Sequence, residues 1–190
     1  MIDTVSVAQL APAVLANVPN VPDPALATAI IRSARQFCRK TQIWQEWMGP
    51  TDPVEGVTRY QVMSPMDAEF AAIVRTLPAD IQDAIQVVSG GMYITVDLPD
   101  EPTEPFSVLG AFIPTLDAGT IPAVLAGEWD DVIVAGALAF LTDIPKADWT
   151  DHRFAAHQAE QFRHGIGRAR ISLAKSQRND ELVVRKRRFI

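Results

Sequence analysis

Apolar and polar positions recur along this chain with two different periods. From Pro24 to about Trp44 the apolar residues return every three to four positions. Leu26, Ile30, Phe37, Thr41 and Trp44 lie on one side, with Ala34 between them and Ile31 and Cys38 widening the stripe. That spacing predicts an amphipathic helix over about 24–46. Asp23 offers a side-chain oxygen as N-cap, and Pro24 suits the first helical position, where its missing N–H is harmless. Arg32, Arg35, Arg39 and Lys40 fall mostly off the stripe, on a face expected to be solvated or interfacial. Trp44 and Trp47 close the segment as core and rim packing. Upstream, VAQLAPAVL has the makings of a short helix, but Pro12, Pro19 and Pro22 interrupt it. Residues 1–21 therefore read as an N-terminal arm followed by a loop.

After Gly49 the period shortens to two. GPTDPVEG is loop composition. VTRYQVM alternates, with Tyr60 and Val62 on one face and Arg59 and Gln61 on the other, and predicts a strand. DAEFAAIVRTL fits either period and is assigned to a strand because sheet-like sequence follows. In IQVVSGGMYITVDL two β-rich runs flank Ser89-Gly90-Gly91, a hairpin pattern in which glycine supplies positive φ. Gly90 and Gly91 are too few for a phosphate cradle, and no helix start follows them. PDEPTEP is a Pro-rich acidic loop, and FSVLGAFIP is a further strand. The middle of the chain, about 57–113, thus predicts a small antiparallel sheet of roughly four strands.

The helical period returns between Ile121 and Arg170, the longest apolar-periodic part of the chain. Ile121-Pro122 opens a turn or short helix, AVLAG. A helix over about 128–142 is apolar nearly all round beyond Asp131, which marks it as the buried one. Gly136 in its interior costs ~1 kcal/mol against Ala, and a close helix crossing would explain it. Pro145 stops this helix, and Thr150 is placed to cap the next. That last helix, about 151–175, carries Phe154, Gln158, Phe162, Ile166 and Ala169 or Leu173 on its packing face, with Gly165 and Gly167 as expected bend points. Together these elements predict an α+β fold. It is a helical bundle of about three main helices, with the small antiparallel sheet inserted between the first and second. Extended arms complete it at both termini. One domain covers 1–176 and a basic C-terminal arm covers 177–190.

Composition adds less than charge does. The 190 residues are 48% hydrophobic and 21% charged, enough apolar material for a core. The charge is segregated: nine of the 17 cations and only two of the 23 anions follow Phe162, so that stretch carries +7 and the preceding 162 residues −13. An acidic body with a basic tail points to a charged partner or a self-complementary assembly. The single Cys38 rules out an intrachain disulfide and, among apolar helical positions, reads as core. The start MIDTVSVAQL lacks the pattern of a signal peptide, and no apolar run approaches the ~18–20 residues of a membrane span. A soluble protein made in the cytoplasm, without membrane contact, is expected.

Candidate chemistry removes more than it adds. His157, Glu160 and His164 fall at i, i+3 and i+7 on one helix face; a metal site would want His at i, i+4 or a third ligand. Asp130 and Asp131, adjacent on a helix, diverge and do not form an acid–base pair. GxSxG, Walker and GxGxxG patterns are missing, and His164-Gly165-Ile166-Gly167 is mid-helix. No cofactor or enzymatic activity is expected. The tail alone invites function. Arg185, Lys186, Arg187 and Arg188 have the charge to neutralise phosphates, but only Phe189 accompanies them for stacking. A β-prone terminal segment also suits docking against a protein partner.

The pattern Ile121-Pro122, Leu125, Trp129, Ile133, Gly136-Ala137-Leu138, Leu141, Pro145, Trp149, Asp151, Ala155, His157, Phe162, Gly165-Ile166 and Ala169-Arg170 resembles the C-terminal half of tailed-bacteriophage neck proteins, the head-to-tail adaptors or head-completion connectors. The first helix, ending Phe37-Cys38, Thr41, Trp44, is similar to theirs. The resemblance implies a non-enzymatic virion protein, commonly a ring of twelve subunits. Such a ring sits beneath the portal protein, extends the DNA channel and offers a platform to the next tail, neck or nozzle component. Genomic DNA would pass through it without specific binding. By the same resemblance Leu182, Val183, Val184, Arg185, Lys186, Arg187, Arg188, Phe189 and Ile190 would form the portal-docking segment. Arg32, Arg35, Arg39, His157 and His164, which lie beside the apolar stripes of the first and last helices, are candidates for inter-subunit contact. The alternative is a basic-tailed nucleic-acid-binding or DNA-packaging accessory protein.

Overall fold

The computed structural model describes residues 2–78, 81, 84–88, 93–96 and 104–181, with side chains as far as Ser176. The chain opens with strand β1 (Thr4–Ser6), a 3₁₀ turn (Val7–Leu10) and helix α1 (Ala11–Leu15) before the long helix α2 (Asp23–Thr41). Val7, Leu10, Val14, Val18 and Val21 are all buried. The N-terminal segment is therefore part of the core and not an arm, which corrects the expectation. Its prolines interrupt helix without interrupting the apolar spacing, and Pro12 stands at the start of α1, where a missing N–H costs nothing.

In α2 the cap is Pro22, through its backbone, and Asp23 is the first helical residue. There its charge favours the positive end of the helix dipole. The helix ends at Thr41, short of the predicted 46, because Gln42 turns left-handed (φ 54°) and returns its N–H to Cys38 O at 2.7 Å. Trp44 then leaves the helix direction and is fully buried against Phe112, ring centroids 6.2 Å apart. Its three-residue spacing from Thr41 and Trp47 mimics a helical stripe across what is in fact the start of β2 (Gln45–Thr51).

The strands β3 (Arg59–Gln61), β4 (Ala68–Leu77), β5 (Ile85–Val87), β6 (Tyr93–Val96) and β7 (Phe106–Pro114) follow, then β8 (Thr120–Pro122). Among the described residues they form three antiparallel sheets, β2-β7-β4, β3-β6-β5 and the pair β1-β8. Among the described residues eight strands and five α-helices replace the expected three-helix bundle with one small sheet, a fold much richer in sheet. The expected β-region began too late and stopped too early. Gly49 and Pro50, read as loop, lie within β2, and Ile121-Pro122 belongs to β8. The hairpin reading of Ile85 to Val96 agrees with the pairing of Ile85 with Val96 and of Val87 with Ile94; its turn at Ser89-Gly90-Gly91 lies outside the described residues. Gly110 is required in β7, because a Cβ there would overlap the Phe70 ring and touch Met48 Cε.

The helical layer is closed by α3 (Ala123–Gly127), α4 (Asp130–Thr142) and α5 (His152–Glu181). As its all-round apolarity predicts, α4 is the buried helix: Val132, Ile133, Ala135, Gly136, Ala137, Leu138, Leu141 and Thr142 are buried. Three helices meet at Gly136. A Cβ there would collide with Ser33 Oγ of α2 and lie 2.8 Å from the Phe162 ring of α5. Ser33 donates to Ile133 O at 2.7 Å, across the same crossing. Phe37 packs between Trp129 and Phe162, with centroids 5.7 and 6.5 Å away. Gly165 likewise is a close approach, to Val132, and not a bend point, whereas Gly167 faces open space. The cap of α5 is Asp151, whose Oδ1 accepts the Arg153 and Phe154 N–H groups at 3.0 Å each. Thr150 instead knots the connector: it donates to Ile144 O at 2.6 Å and accepts Ala147 N–H at 3.0 Å. The helix α5 runs on through Ser176 to Glu181, six residues past its expected end.

Candidate assembly surfaces

The helix α5 gives the molecule two unlike ends. Its first half packs on α2 and α4 through Ala155, Phe162, Ile166 and Ala169, all buried. Beyond Ala169 its side chains as far as Ser176 are exposed, apart from the half-buried Leu173. Arg170 Nε donates to Lys40 O at 2.7 Å, satisfying a carbonyl in the last turn of α2. Arg39, Lys40 and Arg170 line one shallow groove there, and the described part of this end is cationic.

The opposite end carries Asp143, Asp148 and Asp151 beside exposed Lys146 and Arg153, and its acidity is concentrated in a groove. A groove of about 450 Å³ lies between the N-terminal segment and the α4–α5 connector. Asn17, Pro19 and Asn20 form one side, and Asp148, Trp149 and Phe154 the other. Asp151, the α5 cap, also lines it. The Trp149 indole N–H is closed off from water and has no acceptor among the described residues, an uncompensated buried donor of the kind that costs about 1–3 kcal/mol. His152 Nδ1 and Asp143 Oδ1 sit 3.0 Å apart nearby, both well exposed.

Of the residues expected to face a neighbouring subunit, Arg32 is exposed on α2 with its guanidinium 4.7 Å from the Phe140 centroid. Arg35 is only 15% exposed. It donates to Pro114 O and pairs with Glu69, so its guanidinium is occupied in tying α2 to β4 and β7. Arg39 is exposed and borders two grooves. His157 and His164 are exposed on α5, with His164 Nε2 at 3.8 Å from Glu160 Oε1, a solvent-screened contact of little energy. The structure does not bring these residues into one cluster. The tail, Leu182 to Ile190, lies outside the described residues.

Among the described residues there is no group of three or more His, Cys, Asp or Glu side chains able to hold a metal, and no helix long and apolar enough to cross a membrane. Burial pushes the Cys38 thiol up to about 12, which leaves it protonated and unreactive at neutral pH. A second open groove, about 570 Å³, lies between α2 and strands β4 and β5, with Cys38, Gln42, Glu69 and Ile113 on its walls. On the outer face of the β2-β7-β4 sheet, Trp47, Leu109 and Arg75 stand in one row by register. Trp47 is 48% exposed, and Leu77, two positions on from Arg75, is 46% exposed.

The acidic groove escaped the sequence reading because residues 17–20 and 148–154 are far apart in the chain. The available signal was local: a Trp in a Pro-bounded connector with acids on either side, opposite a Pro-punctuated asparagine pair. Comparison with known protein families and with characterised proteins gave no match.

Proposed function

We propose that this chain is a structural virion protein, a head-to-tail adaptor that forms a ring under the portal, extends the DNA channel and receives the next tail component. The observation that carries the reading concerns the residues behind the neck-protein resemblance. Ile121, Leu125, Trp129, Ile133, Leu141, Phe162 and Ile166 are buried and lie in the one continuous core, and Gly136 and Gly165 are close contacts of α4 with α5. The pattern therefore encodes a packing scaffold, as befits a protein whose work is assembly.

Two further features support it. A ring repeats one heterologous contact until it closes, and a subunit with cations at one end of α5 and an aspartate-lined groove at the other is suited to that contact. An acidic body around a channel repels phosphates and lets DNA slide. On this reading the protein resides in the virion neck, acts without a cofactor and catalyses nothing. Co-sedimentation of the purified chain with its portal, alongside a salt-titrated DNA-binding assay, tests the proposal. Stoichiometric portal binding with weak DNA affinity supports it. Tight DNA binding by the monomer with a steep salt slope, lost when residues 185–190 are deleted, would favour the nucleic-acid-binding alternative.

A further inference from the structure

We propose that the acidic groove at the α4–α5 connector is a receptor for the basic tail, Arg185 to Ile190, of another copy of this chain. The groove and the tail are complementary in charge and both carry apolar side chains. Residues 185–190 read Arg185-Lys186-Arg187-Arg188-Phe189-Ile190, four cations and two apolar residues. The groove offers Asp148 and Asp151 beside Trp149 and Phe154, and its described lining includes no Lys or Arg. The Trp149 and Phe154 rings give the groove an apolar wall for Phe189 and Ile190. Asn17 and Asn20 add side-chain amides able to pair with the tail's backbone.

Reach decides which copy supplies the tail. From Phe154 to Glu181, α5 advances about 40 Å at ~1.5 Å per residue. The eight residues from Glu181 to Phe189 span at most about 28 Å fully extended. A chain cannot seat Phe189 in its own groove. The groove near the tail's own root is unsuitable for a different reason: Arg39, Lys40 and Arg170 line it and repel a basic segment. Tail into groove is therefore a contact between copies, joining unlike surfaces, and repetition of such a contact gives a ring or a filament. It rests on the groove, the charges and the reach, and does not depend on the virion reading.

The test uses full-length chains carrying single introduced cysteines, Asn20→Cys in one and Phe189→Cys in the other. Asn20 is exposed at the groove rim, and native Cys38 is buried and does not compete. Mixed under a mild oxidant, the two chains should form a mixed disulfide in about tenfold greater yield than Phe189→Cys with Glu55→Cys, a control on an exposed turn away from the groove; adding Asp148→Lys to the groove chain should cut the yield by about tenfold. Raising salt from about 0.05 to 0.5 M should weaken it likewise. A chain carrying both cysteines should give covalent multimers and no internally closed monomer. Yield no better than the control, or an internally closed monomer, overturns the proposal. A ring closed through other faces would still satisfy the adaptor reading, so failure here is distinct from failure there.

Discussion

Replacing Gly136 by alanine should destabilise the fold, although alanine is the better helix former. In an open helix interior the exchange favours alanine by about 0.8–1.0 kcal/mol. At position 136 the new Cβ collides with Ser33 Oγ and lies 2.8 Å from Phe162 Cδ2. Relief requires α2 or α5 to back away, and overpacking of that kind costs about 1–3 kcal/mol. If Ser33 rotates instead, its 2.7 Å bond to Ile133 O is lost, and a buried hydroxyl without a partner costs about 1–3 kcal/mol more. Against the propensity gain, the net loss should be about 0–2 kcal/mol if a helix backs away and about 1–5 kcal/mol if the Ser33 bond is lost as well. Gly167 is the internal control. It has nothing within 4 Å of its would-be Cβ, so Gly167→Ala should raise stability by about 0.5–1 kcal/mol. Urea unfolding followed by far-UV circular dichroism measures both, and Ser33→Ala combined with Gly136→Ala should recover about 1 kcal/mol by removing the colliding hydroxyl. A Gly136→Ala midpoint at or above wild type, with unchanged m, would refute the three-helix crossing as the reason for this glycine.

Other consequences are simpler to check. Asp67 Oδ2 accepts Gly119 N–H at 3.1 Å, Thr120 N–H at 3.0 Å and the Thr120 hydroxyl at 2.8 Å, clasping the start of β4 to the turn before β8. Asp67→Ala should cost about 2–3 kcal/mol in chemical denaturation, and Asp67→Asn less. Cys38 should label with a thiol reagent at pH 8 only as fast as the protein opens, and at once in urea. Because its thiol is raised from 9.0 to about 12 in the fold, the native state holds that proton more tightly than the unfolded chain. Its contribution is complete below pH 9 and is lost as pH climbs towards 12. Cys38→Ser should flatten that part of the stability profile. Asp151→Ala removes the α5 cap and should lower stability by about 1 kcal/mol, while Thr150→Val should loosen the connector and lower protection of the Ala147 amide from hydrogen exchange.

Period-3.6 segments were the most legible part of the chain. The stripe of α2 and the all-round apolarity of α4 follow from residue spacing within one helix, and a crossing at Gly136 was signalled by a glycine inside a helix that otherwise favours alanine, although its partners Ser33 and Phe162 lie on other helices. The errors share a cause: a feature decided by a distant partner. The predicted helix 24–46 overran because Trp44 and Trp47 continue the spacing, while the pull of Phe112 on Trp44, from 68 residues away, cannot be read locally. The N-terminal segment looked like an arm because Pro12, Pro19 and Pro22 dominate the local signal. Its valines are held by the core they face, and β1 by β8. The strand β2 contains Gly49 and Pro50, residues that usually mark loops, yet it pairs along β7 as an edge strand, where a missing N–H is tolerated. The cap of α5 was misplaced by one residue, between two adjacent side chains both able to cap.

The surfaces were less legible than the fold. Charge segregation was visible in the composition of the last 28 residues, but Arg35, on the charged side of α2, turned out to be engaged with Glu69 and Pro114. The acidic groove exists only once residues 17–20 and 148–154, far apart in the chain, are brought together.

The central claim, that this chain is the repeated subunit of a ring seated on a portal, is tested most directly by electron cryomicroscopy of the purified chain mixed with portal. The account predicts a closed ring, commonly of twelve copies, stacked on the portal and continuing its channel. A portal particle that stays bare while the chain remains monomeric would contradict it.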